Sequence, residues 1–313
     1  MSEEVYMAKC DEPGVGVRRV LELMDDKARE ACNFKTVVIK VNFVSASRQL
    51  SATPVEAVEE YIKYLQNRCK NKIIIAEAPA GGGSFKDALE RYGYYKLKDY
   101  DVEFLDLGED EYEEFYVWNR NLERSVKVRV SKTMLESDYL VSIVRPKTHD
   151  TVIVTLSIKN VVVGAILPGD RYKIHQGYKA INLSIAYLAT LLMPKLSLID
   201  GYIGMEGNGP VGGTPIQLGV SLGGFNPVSV DAAAAYLMGF DPRDVGYLNY
   251  LSQWGFACIN PSQLKIVGLE SWQSFQKQFQ PHITYYSQLN WRLTPSENMK
   301  VEKELENLGV SLS

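Results

Sequence analysis

The feature that most constrains this chain is its punctuation. Short, almost wholly apolar runs rich in β-branched residues alternate with segments carrying a helical stripe. Thr36–Phe43 (TVVIKVNF), Lys72–Ala78 (KIIIAEA), Asp138–Val144 (DYLVSIV) and Leu196–Asp200 (LSLID) read as strands. Between the first two, Val55, Val58, Ile62 and Leu65 recur at helical spacing. Thr53, Pro54 and Glu56 predict where that helix starts, with Thr53 as its N-cap and Glu56 at the reciprocal capping position. Strands that are apolar throughout expect cover on both faces, and a β-α-β-α order expects parallel pairing. The reading is therefore an α/β fold with a mostly parallel, mixed sheet, helices on both faces and a two-lobed tendency.

The middle of the chain breaks the alternation. Val102–Leu107, Phe115–Trp118 and Val126–Val130 look like strands with little helix between them, which predicts a small β-rich insert. Further on, helices are expected near Phe85–Tyr92, Lys179–Leu192, Val228–Met238 and Val245–Trp254, and a strand over Ile216–Leu222. No Gly/Ser or Pro linker divides the chain. Residues 1–257 are expected to form the α/β domain and 258–313 a C-terminal extension ending in a charged helix.

Charge and cysteine usage exclude several function classes. The 313 residues carry 34 Lys and Arg against 38 Asp and Glu, a net charge of −4, which disfavours nucleic acid as a partner. Cys10, Cys32, Cys69 and Cys258 lie 22, 37 and 189 residues apart, a spacing that builds neither a zinc knot nor an iron–sulfur cluster. They read as reduced thiols of an intracellular protein. The longest apolar stretch, Ala180–Met193, has 14 residues, which suits a buried helix and is too short to span a bilayer. The N-terminal residues are acidic and lack an apolar signal core. A cytoplasmic protein without a membrane partner is expected; oligomeric state is not legible.

Candidate functional residues gather where predicted strands end, the edge at which open α/β sheets bind ligands. Lys40 and Asn42 share one side of the first strand, since residues two apart on a strand face the same way. A lysine inside an apolar strand carries a desolvation penalty unless it is paired or reaches water. The Pro79–Ser84 turn, with Gly81 and Gly82, would offer backbone N–H groups to an anion, although glycine also suits any tight turn. Arg145, Lys147 and His149 alternate directly after the Asp138–Val144 strand and form the densest cationic cluster in the chain. His149 suits general acid–base work because imidazole titrates near neutrality. Lys159 and Asn160 interrupt an apolar stretch, and His175 follows in a loop. Asp200 ends a strand and opens the glycine-dense segment holding Glu206, Gly207 and Gly209, so Asp200 and Glu206 are candidate metal or general-base carboxylates. Asp231 sits near a predicted helix start, where the helix dipole alone accounts for it.

With these segments in view, the chain resembles the domain-of-unknown-function family DUF362. The likeness lies in VIKVNF (Val38–Phe43), EAPAGGG (Glu77–Gly83), RPKTHDTVIVTLSIKN (Arg145–Asn160), His175, DGYIGMEGNGPVGGTP (Asp200–Pro215) and NPVSVDAAAAYLMGFDP (Asn226–Pro242). The resemblance implies a fold and no established reaction. Some members carry an appended ferredoxin-like cluster domain, for which this chain lacks the cysteines. The spacing of His149, Lys159 and His175, 10 and 16 residues, is also similar to that of the nickel-pincer lactate racemase family. That likeness implies acid–base work by His149, cofactor anchoring by Lys159, metal binding by His175 and hydride chemistry on a 2-hydroxy acid. The sequence around Lys159 departs from that family, with Asn160 and a valine run following it.

Two functional readings stay open from the residues. In one, Lys40, Lys147 and Lys159 bind a small anion, His149 moves protons, and Asp200 or Glu206 positions a divalent metal or water. In the other, the same basic pocket holds a cofactor or partner carboxylate without chemistry of its own. Beyond a divalent metal, or the nickel-type cofactor implied by the second resemblance, no cofactor is identified.

Overall fold

The structure is a computed structural model and describes residues 3–310. Fourteen strands are present among the described residues: β1 (Glu4–Lys9), β2 (Thr36–Lys40), β3 (Lys72–Glu77), β4 (Val102–Asp106), β5 (Tyr112–Trp118), β6 (Arg124–Ser131), β7 (Leu140–Val144), β8 (Lys147–His149), β9 (Ile153–Thr155), β10 (Leu196–Ile199), β11 (Ile203–Glu206), β12 (Thr214–Gln217), β13 (Val220–Gly224) and β14 (Lys265–Val267). Eight of them form one sheet in the order β14-β1-β13-β10-β7-β2-β3-β4. The run β10-β7-β2-β3-β4 is parallel throughout, and β13 pairs antiparallel with both neighbours, so the sheet is mixed and mostly parallel. A smaller sheet, β12-β11-β8-β9, stands beside it. The β5–β6 hairpin is the expected β-rich insert.

Both faces of the large sheet are covered, as its apolar strands require. Val37 and Ile39, with Ile73, Ile75, Val141 and Ile143, pack into one core beneath α1 (Val15–Leu23), α2 (Val55–Gln66) and α3 (Phe85–Arg91). Val38, Ala76, Leu140 and Val144 point the other way, into a core shared with α4 (Ser157–Ala165), α5 (Tyr178–Leu192), α6 (Pro227–Leu237) and α7 (Gly246–Gln253). The body thus has two cores, one on each face of a single continuous sheet. Residues after 257 add edge strand β14 beside β1 and a last helix, α8 (Pro295–Asn307). No helix of the described residues is long and apolar enough to cross a membrane.

Three local expectations need correction. Thr53 caps no helix: α2 starts after Pro54 without a side-chain cap. The Thr53 hydroxyl instead accepts from the Asn42 N–H (2.9 Å) and donates to the Ile143 carbonyl (2.8 Å). Bridging the ends of two neighbouring strands outweighs one exposed cap. The strand expected over Ile216–Leu222 is two strands, because Gly219 turns the chain in the left-handed region, φ +74°. Cys32 and Cys69 are not free thiols but a disulfide, their Cα atoms 5.3 Å apart, while Cys10 and Cys258 stay unbonded. A 37-residue separation gave no local motif to announce that pairing.

Candidate functional site

At the C-terminal edge of β2 and β3 lies a cavity of about 220 Å³, walled by Asn42, Glu77, His149, Thr155, Lys159, Asn160, Arg171 and His175, with Pro210 over it. The fold converges on it for local reasons. Lys40 and Asn42 leave β2 on the side facing α4. The β8–β9 hairpin pairs Lys147 with Thr155 and His149 with Ile153, so these four side chains share one face. The first turn of α4 carries Lys159 and Asn160. Its first two amides, Ser157 and Ile158, donate to the two carboxylate oxygens of Asp231, both at 2.9 Å. Asp231 therefore serves a neighbouring helix rather than its own dipole, and burial raises its pKa to about 7.

Beneath the cavity the charges are knitted. Lys40 Nζ donates to Glu77 Oε2 (2.7 Å), the Val41 carbonyl (2.6 Å) and Asn160 Oδ1 (3.2 Å). Gly164 on α4 makes room for this amine, since a methyl there would overlap Lys40 Cε and Nζ. Glu77 also accepts from the amides of Phe43 and Ala78, both at 2.8 Å. Arg171 gives its guanidinium to the carbonyls of Ile166, Ala78 and Gly164, with Glu77 Oε1 3.7 Å away. Lys147 Nζ donates to Asn42 Oδ1 and the Ser51 carbonyl. Arg145 ties the Ala52 carbonyl to that of Ile203. Of the alternating cluster expected to share one face, only His149 lines the cavity.

Lys159 differs from the other buried lysines. It is 9 % exposed, and among the described residues its ammonium has no hydrogen-bond or ion-pair partner. Burial first, then Arg171 and Lys40 nearby, lower its pKa to about 8, against the pull of Asp150. The Thr155 hydroxyl, 1 % exposed, likewise has no partner. The His149 ring is neutral, because burial and the charge on Lys159 hold its pKa well below the ordinary 6.5. Its Nδ1 accepts from the Thr151 N–H at 3.0 Å, which puts the ring proton on Nε2. The Asp150 carboxylate, 3.1 Å from Nδ1, thus faces a neutral ring and forms no ion pair with it. His175 stands at the mouth, its pKa lowered by burial and by Lys159.

The remaining candidates lie elsewhere. Asp200 is buried with its carboxylate accepting from the Gly14 N–H (2.8 Å) and the Tyr202 N–H (3.0 Å), so it joins loops on the far side of β10. Glu206 accepts from the Gln280 N–H at 2.7 Å and is not a cavity residue. Among the described residues no three of His, Cys, Asp and Glu form a set that could hold a metal ion. Gly81 and Gly82 do not line the cavity, although Ala80 beside them does; the Gly81 carbonyl accepts from the Ala46 amide (2.9 Å). Gly207 and Gly209 act through packing: the Gly207 carbonyl accepts from the Thr148 hydroxyl (2.9 Å), and a methyl on Gly209 would strike the Thr148 carbonyl. Their contact seats Pro210 over the cavity.

Sequence reasoning missed Glu77 as a counterion, Arg171, Thr155 and, most of all, Gln288. Gln288 is 1 % exposed; its Nε2 donates to the His149 carbonyl (2.9 Å) and its Oε1 accepts from the Ile153 N–H. Ile153 has φ +67°, a costly conformation for a β-branched residue. Thr284 adds a bond from its hydroxyl to the Asp150 carbonyl (2.7 Å). The C-terminal extension therefore holds the hairpin that carries His149. No spacing rule connects residue 288 to residue 149, so no sequence signal pointed to it.

Comparison with known proteins adds a family and distant relatives. The family described as "Domain of unknown function (DUF362)" matches residues 37–236. The chain is similar to the "Thylakoid-associated protein sll1697" of Synechocystis sp., with 23 % identity over 238 residues, 74 % of this chain and 70 % of that protein. Among solved structures it is similar to a protein from Thermotoga maritima (TM-score 0.40, 11 % identity, 63 % of this chain and 52 % of that one). It is also similar to the lactate racemase apoprotein from Thermoanaerobacterium thermosaccharolyticum (TM-score 0.42, 13 % identity, 62 % and 49 %). The chain spans about half the length of these two structures, and likenesses of this size carry no argument about mechanism.

Proposed function

The chain belongs to the DUF362 family, and from that premise we propose that its cavity binds a small anionic molecule, a carboxylate above all, with Lys159 as the receiving charge and His149 as a proton donor and acceptor. The observation that carries this reading is the Lys159 ammonium, without a hydrogen-bond or ion-pair partner among the described residues, in a cavity rich in cations. Lys40, Lys147, Lys159 and Arg171 stand against two carboxylates at the cavity, the buried Glu77 and the more exposed Asp150. An anion entering there supplies the missing counter-charge, and the free Thr155 hydroxyl offers a hydrogen bond. Of the residues expected from the sequence as catalytic, Lys147 serves in this reading to hold Asn42 at the cavity wall, and Asp200 lies outside the cavity. A cavity of about 220 Å³ suits a molecule of a few heavy atoms rather than a nucleotide.

Calorimetric titration with oxalate tests the proposal. Wild type should bind, and Lys159→Met should lose roughly 10- to 100-fold in affinity, the worth of a charged hydrogen bond. Equal affinity in the variant would remove Lys159 from the site. The Cys32–Cys69 bond favours an oxidising compartment over the expected cytoplasm. Denatured protein should show two free thiols before reduction and four after, and four from the start would place the chain in a reducing compartment.

A further inference from the structure

We propose that Lys159 is a carbonyl-reactive amine and that the anion accepted by the cavity is a small 2-oxo acid, which the protein holds as an imine. The proposal rests on the anion-binding reading and adds a covalent step to it. Three lysines are buried around the cavity, and their ammonium groups are in different states. Lys40 has three acceptors and Lys147 two, so although burial lowers the pKa of both, as it does for Lys159, each amine is tied in place and neither lines the cavity. Lys159 has none among the described residues, and at 9 % exposure against 0 % for the other two it is the one that opens onto the cavity. A lysine kept in a desolvated pocket beside other cations is the arrangement that frees an amine lone pair at neutral pH. With the pKa at about 8, roughly a tenth of the Lys159 amine is neutral at pH 7, several hundredfold more than for an ordinary lysine.

The surrounding groups match what the reaction needs. The Nζ lone pair attacks the carbonyl carbon and a C–N bond forms, while the carbonyl oxygen takes a proton and becomes the carbinolamine hydroxyl. That C–O bond then breaks, water leaves, and the nitrogen gives up its remaining proton or stays as the iminium. Amine plus carbonyl gives imine plus water, with no oxidant or reductant consumed. His149 is neutral with its proton on Nε2, so that N–H can donate a hydrogen bond to the carbinolamine oxygen, while the two protons this oxygen takes up to leave as water come from the Lys159 nitrogen. The unpartnered Thr155 hydroxyl is a ready donor to the carboxylate, and Lys40 and Arg171 supply a fixed positive field behind it.

Incubation with pyruvate and cyanoborohydride, followed by intact mass measurement and peptide mapping, tests the proposal. One reduced adduct on the peptide holding Lys159 is expected, with Lys40 and Lys147 unmodified. Lys159→Arg should abolish it, His149→Gln should slow it at least tenfold, and an excess of oxalate should block it in the wild-type protein. The oxalate block needs no variant to fold. Labelling scattered over exposed lysines and untouched by oxalate overturns the imine, as does the absence of any adduct at Lys159. Oxalate titration separates the two claims: binding without an adduct overturns the imine and leaves the anion site standing, whereas no oxalate binding removes both.

Discussion

At the scale of single residues, the cavity is defined by which charges are paired. Removing one member of a buried pair strands the other, whereas removing an unpaired charge relieves it. Lys40→Met leaves Glu77 without its nearest cation and should cost about 3–5 kcal/mol in denaturant unfolding. Lys159→Met should leave stability unchanged or raise it. The pH dependence fixes the sign. Lys159 titrates at about 8 when folded against 10.5 in an open chain, so between those values the unfolded chain binds the extra proton and stability rises with pH. The penalty of burying the charge is complete below pH 8. The advantage of Lys159→Met should therefore be largest there and fade between pH 8 and 10.5. A variant less stable than wild type at pH 7 would show that Lys159 has a partner. Two of the buried lysines were legible in the sequence because Lys40 and Lys159 interrupt an apolar context, whereas Lys147 read as part of the Arg145–His149 cationic cluster and its burial did not show. Which of them was already satisfied was not, since the acceptors come from residues as distant as Glu77, Ser51 and Asn160.

At the scale of elements, the β8–β9 hairpin carries two of the polar side chains that wall the cavity. It is two three-residue strands, it carries His149 and Thr155, and it contains a left-handed isoleucine. So short a pair is marginal without outside support. Gln288 provides that support from the far end of the chain. Gln288→Ala should speed hydrogen exchange at the Ile153 and Thr151 amides by tenfold or more and weaken oxalate binding, with the β2 and β7 amides unchanged. Exchange that stays the same across the hairpin would mean the hairpin holds itself. Elements with strong periodicity were read well: the strands near residues 36, 72, 140 and 196 and the helix over Tyr178–Leu192 sit where their patterns place them. Thr53 and Gly219 misled because a tertiary strand bridge and a left-handed turn override local pattern.

At the scale of the whole molecule, a net charge of −4 coexists with a local cluster of cations because Lys40, Lys147, Lys159 and Arg171 gather at the cavity, whereas the buried Asp170, Asp200 and Asp231 do not line it. Interactions inside the protein escape most of the screening that weakens surface pairs. Oxalate affinity should therefore change less than about threefold between 50 and 150 mM of a bulky, non-competing salt. A steep loss would indicate a surface site instead. The parallel sheet and its ligand edge were legible from the order of strands and helices. The involvement of residues beyond 257 was not, because β14, Gln280, Thr284 and Gln288 reach the body through contacts that no local pattern encodes.

The most direct test of the central claim is a crystal structure of the protein soaked with oxalate. The account predicts the anion in the cavity, within hydrogen-bond distance of Lys159 Nζ and the Thr155 hydroxyl and beside His149 Nε2. Oxalate bound only elsewhere, with Lys159 turned away to another acceptor, would contradict it.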